Sequence, residues 1–412
     1  MEKLIIATER YPYGGEKSFL LPELRRLCTR YDITIISHAE DDSAPIDEEL
    51  PKEIRVIRIP RPCISWKDKV KAVFSYLLGK DGRLELKEIL AGKGQKKEQI
   101  YQSLSFYAQT LVDQRALRKT QILKGGQNII YYSFWYSYFC YSAIREAGKN
   151  NKVRFITRAH GVDLYQERIP GDRQPFRHQM EKKLHRIIFA CQYGETYYRM
   201  RIAGSKDIEK ELRVCRLGVE PTDYRMPLGN RKVYEVLSCS NVIPLKRVEL
   251  IIDGLAEIDD FEIRWSHIGD GEKLCEMQNY AEKQLGKKNN LSFQFLGRMD
   301  NKEVHRYYRE HQVDLFITTS STEGGCPVSI QEAMAYGIPV IGTDVGGITE
   351  MIDGNGILLP ATPTGREVAG AMHGIMELSD EQLKNVKEKS YQLWNEKFNA
   401  VKNSRMLIEE LK

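Results

Sequence analysis

Short apolar runs of four to six residues alternate with longer segments of helical period along most of this 412-residue chain, and that alternation limits the fold more than any other feature. A brief apolar run bounded by turn residues reads as a buried strand. A strand followed by an amphipathic helix reads as half of a βαβ unit, so the pattern predicts an α/β protein built on parallel sheets. Predicted strands in the first half are Lys3–Thr8, Ile33–Ser37, Ile54–Ile59, Asn128–Ser133, Arg154–Arg158 and Ile187–Ala190. The second half restarts the pattern with Val233–Ser240, Glu262–Ile268, Leu291–Leu296, Asp314–Thr319 and Ile338–Thr343. Two doubly wound sheets are expected, because one core usually organises about 100–200 residues. GVEPTDYRMPLGNRK has prolines and glycines with little periodicity, which places a linker at about 218–231. The expected domains are 1–220 and 221–390, with 391–412 as a C-terminal helix packing back toward the N-terminal domain. Trp394 and Phe398, spaced i, i+4, form that helix's docking face.

Composition narrows the function. With 42% hydrophobic and 29% charged residues the chain is ordinary globular material, and no run of 18 apolar residues interrupts it. The opening MEKLIIATERYPYGG has too short an apolar run for a signal peptide and reads as a first strand. The expected location is the cytoplasm, including the inner face of the cell membrane. Eight cysteines lie singly with no CxxC pair, as reduced, packed thiols would. A net charge of +5 suits anionic small ligands or an anionic membrane surface and is far too mild for nucleic acid. One region, 65–124, breaks the alternation as a basic helical insert. In it Trp66, Val70, Val73, Phe74 and Leu77 share one stripe, with Lys67, Lys71 and Lys80 elsewhere. Such a stripe either packs on the N-terminal domain or serves as a lid or interfacial helix against an anionic membrane or lipid-linked acceptor.

The chemistry concentrates in DLFITTSSTEGGCPVSIQEAMAYGIPVIGTDVGGITEMI, residues 314–352. A strand leads to a small-residue loop, and Pro327 then opens a helix where its missing N–H costs nothing. Gly324 and Gly325 permit close backbone approach, with Cys326 and Val328 flanking the proline. The helix start is an anion site suited to a diphosphate, at the carboxyl end of a parallel strand where ligands collect. Glu332, inside the helix, can accept hydrogen bonds from a ribose diol, and Glu323 can do the same for sugar hydroxyls. A second strand, IPVIGTD, is followed by Gly346, Gly347 and Glu350, repeating strand, glycine loop and helix start.

This stretch resembles the donor-binding signature EGxPxxxxEAMAxGxPV of the retaining glycosyltransferase family 4. Further segments extend the resemblance over nearly the whole chain: RYPYGGEKSFLLPELRRL, RAHGVDLY and SNVIPLKRVELIIDGL. The resemblance implies a GT-B fold, two Rossmann-like doubly wound domains facing a central cleft, with acceptor on the N-terminal side and donor on the C-terminal side. It implies a retaining, hexosyl-type transfer from a nucleotide diphosphate sugar, UDP- or GDP-linked. The acceptor would be a glycan or polyprenyl-linked precursor in cell-surface polysaccharide synthesis, met with peripheral membrane contact and without nucleic acid or any cofactor beyond the donor itself.

Residue by residue, Gly14 and Gly15 match the family's N-terminal glycine loop near the donor phosphates. His160 matches the histidine beside the transferring sugar, and Lys246 the lysine that neutralises the leaving diphosphate. Gly269, in HIGDGEKL, matches a GxG turn near the base. Two positions depart from the pattern. The family separates its glutamates by seven residues, whereas eight lie between Glu323 and Glu332, which puts Gly324 at the usual first position. The family's arginine position falls on Asn241, while Arg247, where glycine is common, offers a replacement charge. Asp163 reads as a cap or an orienting group after His160. No DxD beside an apolar strand is present, so no metal requirement is expected. The rival readings are a sugar-nucleotide epimerase or phosphorylase on the same architecture, a nicotinamide dehydrogenase disfavoured by the absent GxGxxG, and a non-catalytic sugar-nucleotide-binding scaffold.

Overall fold

The apolar runs assemble into two parallel sheets in the computed structural model, which describes residues 1–39, 44–124, 127–202 and 212–412. The chain divides into one unit of residues 1–215 with 404–412 and a second of residues 216–403.

Among the described residues the N-terminal unit holds seven strands: β1 (Glu2–Thr8), β2 (Tyr31–Ser37), β3 (Arg55–Arg58), β4 (Ile129–Ser133), β5 (Val153–Ala159), β6 (Arg186–Phe189) and β7 (Leu212–Val214). Their order is β3-β2-β1-β4-β5-β6-β7, every neighbour parallel. Helices cover both faces, so the central strands are apolar throughout rather than alternating. Leu4, Ile5, Ile6 and Ala7 of β1 are all fully buried. The covering helices are α1 (Lys17–Leu27), α2 (Trp66–Leu78), α3 (Lys80–Ala91), α4 (Lys96–Thr120), α5 (Tyr138–Ala147), α6 (Arg177–Glu181) and α7 (Gln192–Arg201).

The C-terminal unit repeats the plan with β8 (Tyr234–Cys239), β9 (Ile263–Ile268), β10 (Leu291–Gly297), β11 (Leu315–Ile317), β12 (Val340–Thr343) and β13 (Gly356–Leu359). Its order, β10-β9-β8-β11-β12-β13, is the doubly wound 3-2-1-4-5-6 arrangement. Its helices are α8 (Val248–Ala256), α9 (Leu274–Leu285), α10 (Asn301–Glu310), α11 (Val328–Ala335), α12 (Gly365–Met376) and α13 (Asp380–Lys397), and the last helix, α14 (Ala400–Glu410), begins in this unit and belongs from residue 404 onward to the N-terminal one. In both sheets the order reverses beside the first strand, between β1 and β4 and between β8 and β11. Loops leaving the carboxyl ends there diverge and open a crevice, the usual ligand position in such sheets.

At the level of the fold the structure adds two strands, divides one helix and decides between two readings of another. Two edge strands, β7 and β13, escaped notice because three or four residues carry no periodicity. The C-terminal segment is two helices, broken where Val219 and Asn399 pair as a β-bridge. Phe398, fully buried, caps the first of them, and Gly218 lies so close to Ala400 that a Cβ there would fall 2.7 Å from its nitrogen. For α2 the structure decides between the two readings of its apolar stripe. The stripe Trp66, Val70, Val73, Phe74 and Leu77 does not pack on the N-terminal unit; α2 attaches through Ala72 and Tyr76 instead. Tyr76 meets Tyr107 and Phe176 edge-on, and its hydroxyl pairs with Ser103.

Candidate functional site

At the switch point of the C-terminal sheet, the loops after β8 and β11 run side by side and are joined by hydrogen bonds to backbone carbonyls. Ser321 donates its N–H to Leu245 O (2.8 Å), and the Thr319 hydroxyl donates to Arg247 O (2.8 Å). That stitching carries Lys246, at the end of a single 3-10 turn Pro244–Lys246, onto the opposite loop. Its Nζ lies 2.5 Å from Glu323 Oε1, both side chains largely shielded. Glu323 thus faces a cation from the loop after β8.

Arg247 has a different task. Its φ of +47° is left-handed, which glycine adopts freely and an L side chain only at some cost. The guanidinium compensates by donating to the carbonyls of Thr319 (2.7 Å), Ser320 (2.9 Å) and Ala361 (2.9 Å), tying the β11 and β13 loops together. Asn241 is exposed at the start of the same loop. Gly269 is dictated by packing: its φ is +151°, and a Cβ there would sit 1.8 Å from Ser240 O.

The helix after the glycine loop, α11, begins at Val328, with Pro327 as its N-cap rather than its first residue. No side chain caps it, so its first N–H groups and positive dipole end are directed at the loop. Cys326, next to it, is buried with Sγ 3.5 Å from Gly347 O. Glu332 lies inside α11, buried, with Oε1 accepting from Asn301 Nδ2 (2.5 Å) at the start of α10. Burial pushes its carboxyl up to about 8.

The second glycine pair does not repeat the first. Gly346–Glu350 is a 3-10 turn with no α-helix behind it. A Cβ on Gly346 would fall 2.1 Å from Glu323 O, and one on Gly347 2.4 Å from the Gly325 carbonyl. These glycines let the β12 loop lie against the Glu323–Cys326 loop. Glu350 is held by Arg216 (2.5 Å).

In the N-terminal unit the loop after β1 contains Gly14 and Gly15, with φ of +123° and +68°. Their left-handed turns fold Glu16 back into the loop. Its carboxylate accepts the N–H groups of Glu9 (2.9 Å), Arg10 (3.2 Å) and Tyr11 (2.9 Å), and the Trp135 indole N–H from the loop after β4 (2.9 Å). The amides of residues 9–11 are therefore already satisfied. Trp135 in turn packs against His160, ring centroids 4.5 Å apart, with Phe134 on the same ring at 4.8 Å. His160 leaves the carboxyl end of β5 as the alternation predicts. Among the described residues neither of its buried ring nitrogens has a hydrogen-bond partner, and the Asp163 carboxylate is 3.7 Å from Nδ1. Asp163 accepts the N–H groups of His160 and Gly161 (2.9 Å each) and of Tyr136 (3.0 Å). Burial opposes its charge, but the His160 ring and these amides outweigh it and hold the carboxyl below its ordinary range. Beside this loop a cavity of 460 Å³ opens, lined among others by Glu9, Arg61, Gln109, Trp135, Tyr138 and Asp163.

The structure thus brings together Lys246, Glu323, Gly324, Gly325, Cys326, Pro327 and Val328 at one sheet end, with Glu332 buried one turn deeper. Gly14, Gly15 and His160 belong to the other unit. Sequence reasoning passed over Glu16, Trp135 and Asn301. Glu16 directly follows the glycine pair, Trp135 ends the apolar run at the tip of β4, and Asn301 follows the helix cap Asp300; these are the signals that were available.

Comparison with known proteins follows the same division. The model of the family described as glycosyl transferases group 1 matches residues 233–377, which hold Lys246, Glu323 and Glu332. The O-antigen biosynthesis glycosyltransferase WbnH of Escherichia coli is 34% identical over 140 residues, 34% of this chain. The chain covers only 37% of that relative's length. Among solved structures, sucrose-phosphate synthase of Thermosynechococcus elongatus superposes with a TM-score of 0.72 at 13% identity, over 99% of this chain and 98% of that one. Anabaena HepE, in complex with UDP-glucose, gives 0.64 at 16% identity, over 100% and 99%. At such identities the likeness establishes the fold, two Rossmann-like units of GT-B type.

Proposed function

We propose, from the match of residues 233–377 to the family described as glycosyl transferases group 1, that the chain transfers a sugar, with retention, from a nucleotide diphosphate sugar to a glycan or lipid-linked acceptor of cell-surface polysaccharide. The observation that carries this reading is the meeting of Lys246, Glu323 and the uncapped start of α11 at one switch point. A diphosphate set there gains the N–H groups and dipole of α11 and the ammonium of Lys246. Glu332, one turn deeper and primed with Asn301, receives the ribose hydroxyls. The likeness to a protein holding UDP-glucose favours uridine as the base.

In the reaction the bond from the anomeric carbon to the diphosphate oxygen breaks while the acceptor oxygen bonds to that carbon on the same face. The acceptor's proton passes to the departing diphosphate, whose growing charge Lys246 stabilises. Glu323 holds Lys246 in place before the donor arrives and then bonds sugar hydroxyls. His160 offers its two unpartnered nitrogens to the transferring sugar, and the 460 Å³ cavity takes the sugar end of the acceptor.

The test is a thermal-shift series with UDP, GDP, ADP and their sugar conjugates, followed by transfer assays with the stabilising donor. A ligand bound only by the folded state raises the melting temperature. A uridine-specific shift that Lys246→Ala and Glu332→Ala abolish is the expected result. A shift that survives both substitutions, or no shift with any nucleotide, overturns the assignment.

A further inference from the structure

Among the described residues, nothing covers the apolar face of the helical insert. Trp66 (70% exposed), Phe74 (62%) and Leu78 (76%), with Val70, Val73 and Leu77, all lie open on α2. At about 100° per residue these six fall on one arc, while Ala72 and Tyr76, which anchor α2, fall on the far side. The stripe therefore points away from the unit that carries it. A monomeric surface seldom leaves so many large apolar side chains together without a purpose.

Charge identifies what would cover it. On the same wheel Lys67 falls within the arc, between Phe74 and Leu78, while Lys71 flanks it on one side and Lys69 on the other, all three exposed. Exposed Lys80, Arg83 and Lys87 follow on α3. The acidic residues of α2 and α3 are engaged elsewhere: Asp68 pairs with Arg115, Asp81 with Arg145, and Glu85 and Glu88 with Arg173. The insert's outward surface is thus cationic around an apolar centre. Thirteen helical residues span about 20 Å, short of a hydrocarbon core of about 30 Å, so α2 can lie in an interface but not cross it. Among the described residues no other helix is long and apolar enough to cross a membrane either.

We propose that α2 is an in-plane docking helix for an anionic lipid surface, with Trp66, Phe74 and Leu78 entering the acyl boundary and Lys67, Lys69 and Lys71 reaching lipid phosphates. The inference stands on the exposed face and its charges and does not depend on the donor reading. It has a consequence for the acceptor: α4, which packs against α2, also contributes Gln102, Phe106 and Gln109 to the 460 Å³ cavity, so a lipid-linked substrate would keep its tail in the bilayer and its sugar beside the insert.

The experiment is co-sedimentation of the full chain with vesicles of phosphatidylcholine alone and of phosphatidylcholine mixed with phosphatidylglycerol, at low and high salt. Binding is expected with the anionic vesicles only, and salt should weaken it. The triple variant Trp66→Ser, Phe74→Ser, Leu78→Ser should bind at least about tenfold more weakly, and each of Lys67→Glu, Lys69→Glu and Lys71→Glu roughly fivefold more weakly. Because the altered side chains are exposed, melting temperature should stay unchanged, and it is measured alongside. Trp66 emission should shift to the blue on anionic vesicles, a shift that Trp66→Phe removes. Equal binding of wild type and the triple variant, no binding to anionic vesicles, or self-association that the triple variant abolishes would each overturn the proposal, the last by making a second copy the occupant.

Discussion

The two switch points are built alike and finished differently. In each, a carboxylate from one loop binds a donor on the loop across the crevice: Glu16 with Trp135 in the N-terminal unit, Glu323 with Lys246 in the C-terminal unit. Glu16 is saturated, with three amides and an indole around a nearly buried carboxylate, so its loop is a fixed scaffold. Glu323 has one ammonium beside it and an uncapped helix start next door, an arrangement that an incoming anion can rearrange. The contrast separates a carboxylate that shapes a site from one that waits in it. Where every acceptor position is filled, removal costs stability; where the partner is a single ammonium, removal costs binding or rate.

The comparison can be broken by substitution. Lys246→Ala should lower kcat for transfer by roughly 100- to 1000-fold, as loss of a group stabilising developing charge does, and leave the melting temperature nearly unchanged; a large fall in stability would make this switch point structural too. Glu16→Ala should do the reverse, destabilising by about 2–4 kcal/mol in denaturant titration because several buried donors lose their acceptor together. If Glu16→Ala were as stable as wild type, the scaffold reading would fail. His160→Ala should reduce turnover by about tenfold to a hundredfold with little change in donor affinity, measured as a split between kcat and nucleotide Kd.

The smallest effect concerns pH. Glu332, raised to about 8 when folded, keeps its proton over a range where the unfolded chain has released it. Stability should therefore fall as pH rises from about 4.5 toward 8. Glu332→Gln cannot titrate, so its unfolding free energy should lose at least about 1 kcal/mol of that slope. An unchanged profile would mean that the carboxyl is ionised in the folded protein.

Local periodicity, which a chain carries in its residue order, was enough to reveal the α/β class, both parallel sheets and the loops at their carboxyl ends, because buried parallel strands must be apolar and their connections helical. The strand, glycine loop and helix start pointed to Glu323 and Glu332, and the family resemblance to Lys246 and His160. Which of these meet depends on strand order: Lys246 and Glu323 are 77 residues apart and touch only because β8 and β11 are neighbours. Glu16 and Trp135, 119 residues apart, meet for the same reason between β1 and β4. The glycines show the limit most clearly. Gly346 and Gly347 look in sequence like a second anion loop, yet their missing side chains make room for the backbone of the first. The stripe on α2 is as visible in the sequence as any core face, and only the packing of Ala72 and Tyr76 decided that it points outward, since periodicity marks an apolar face without saying what lies against it.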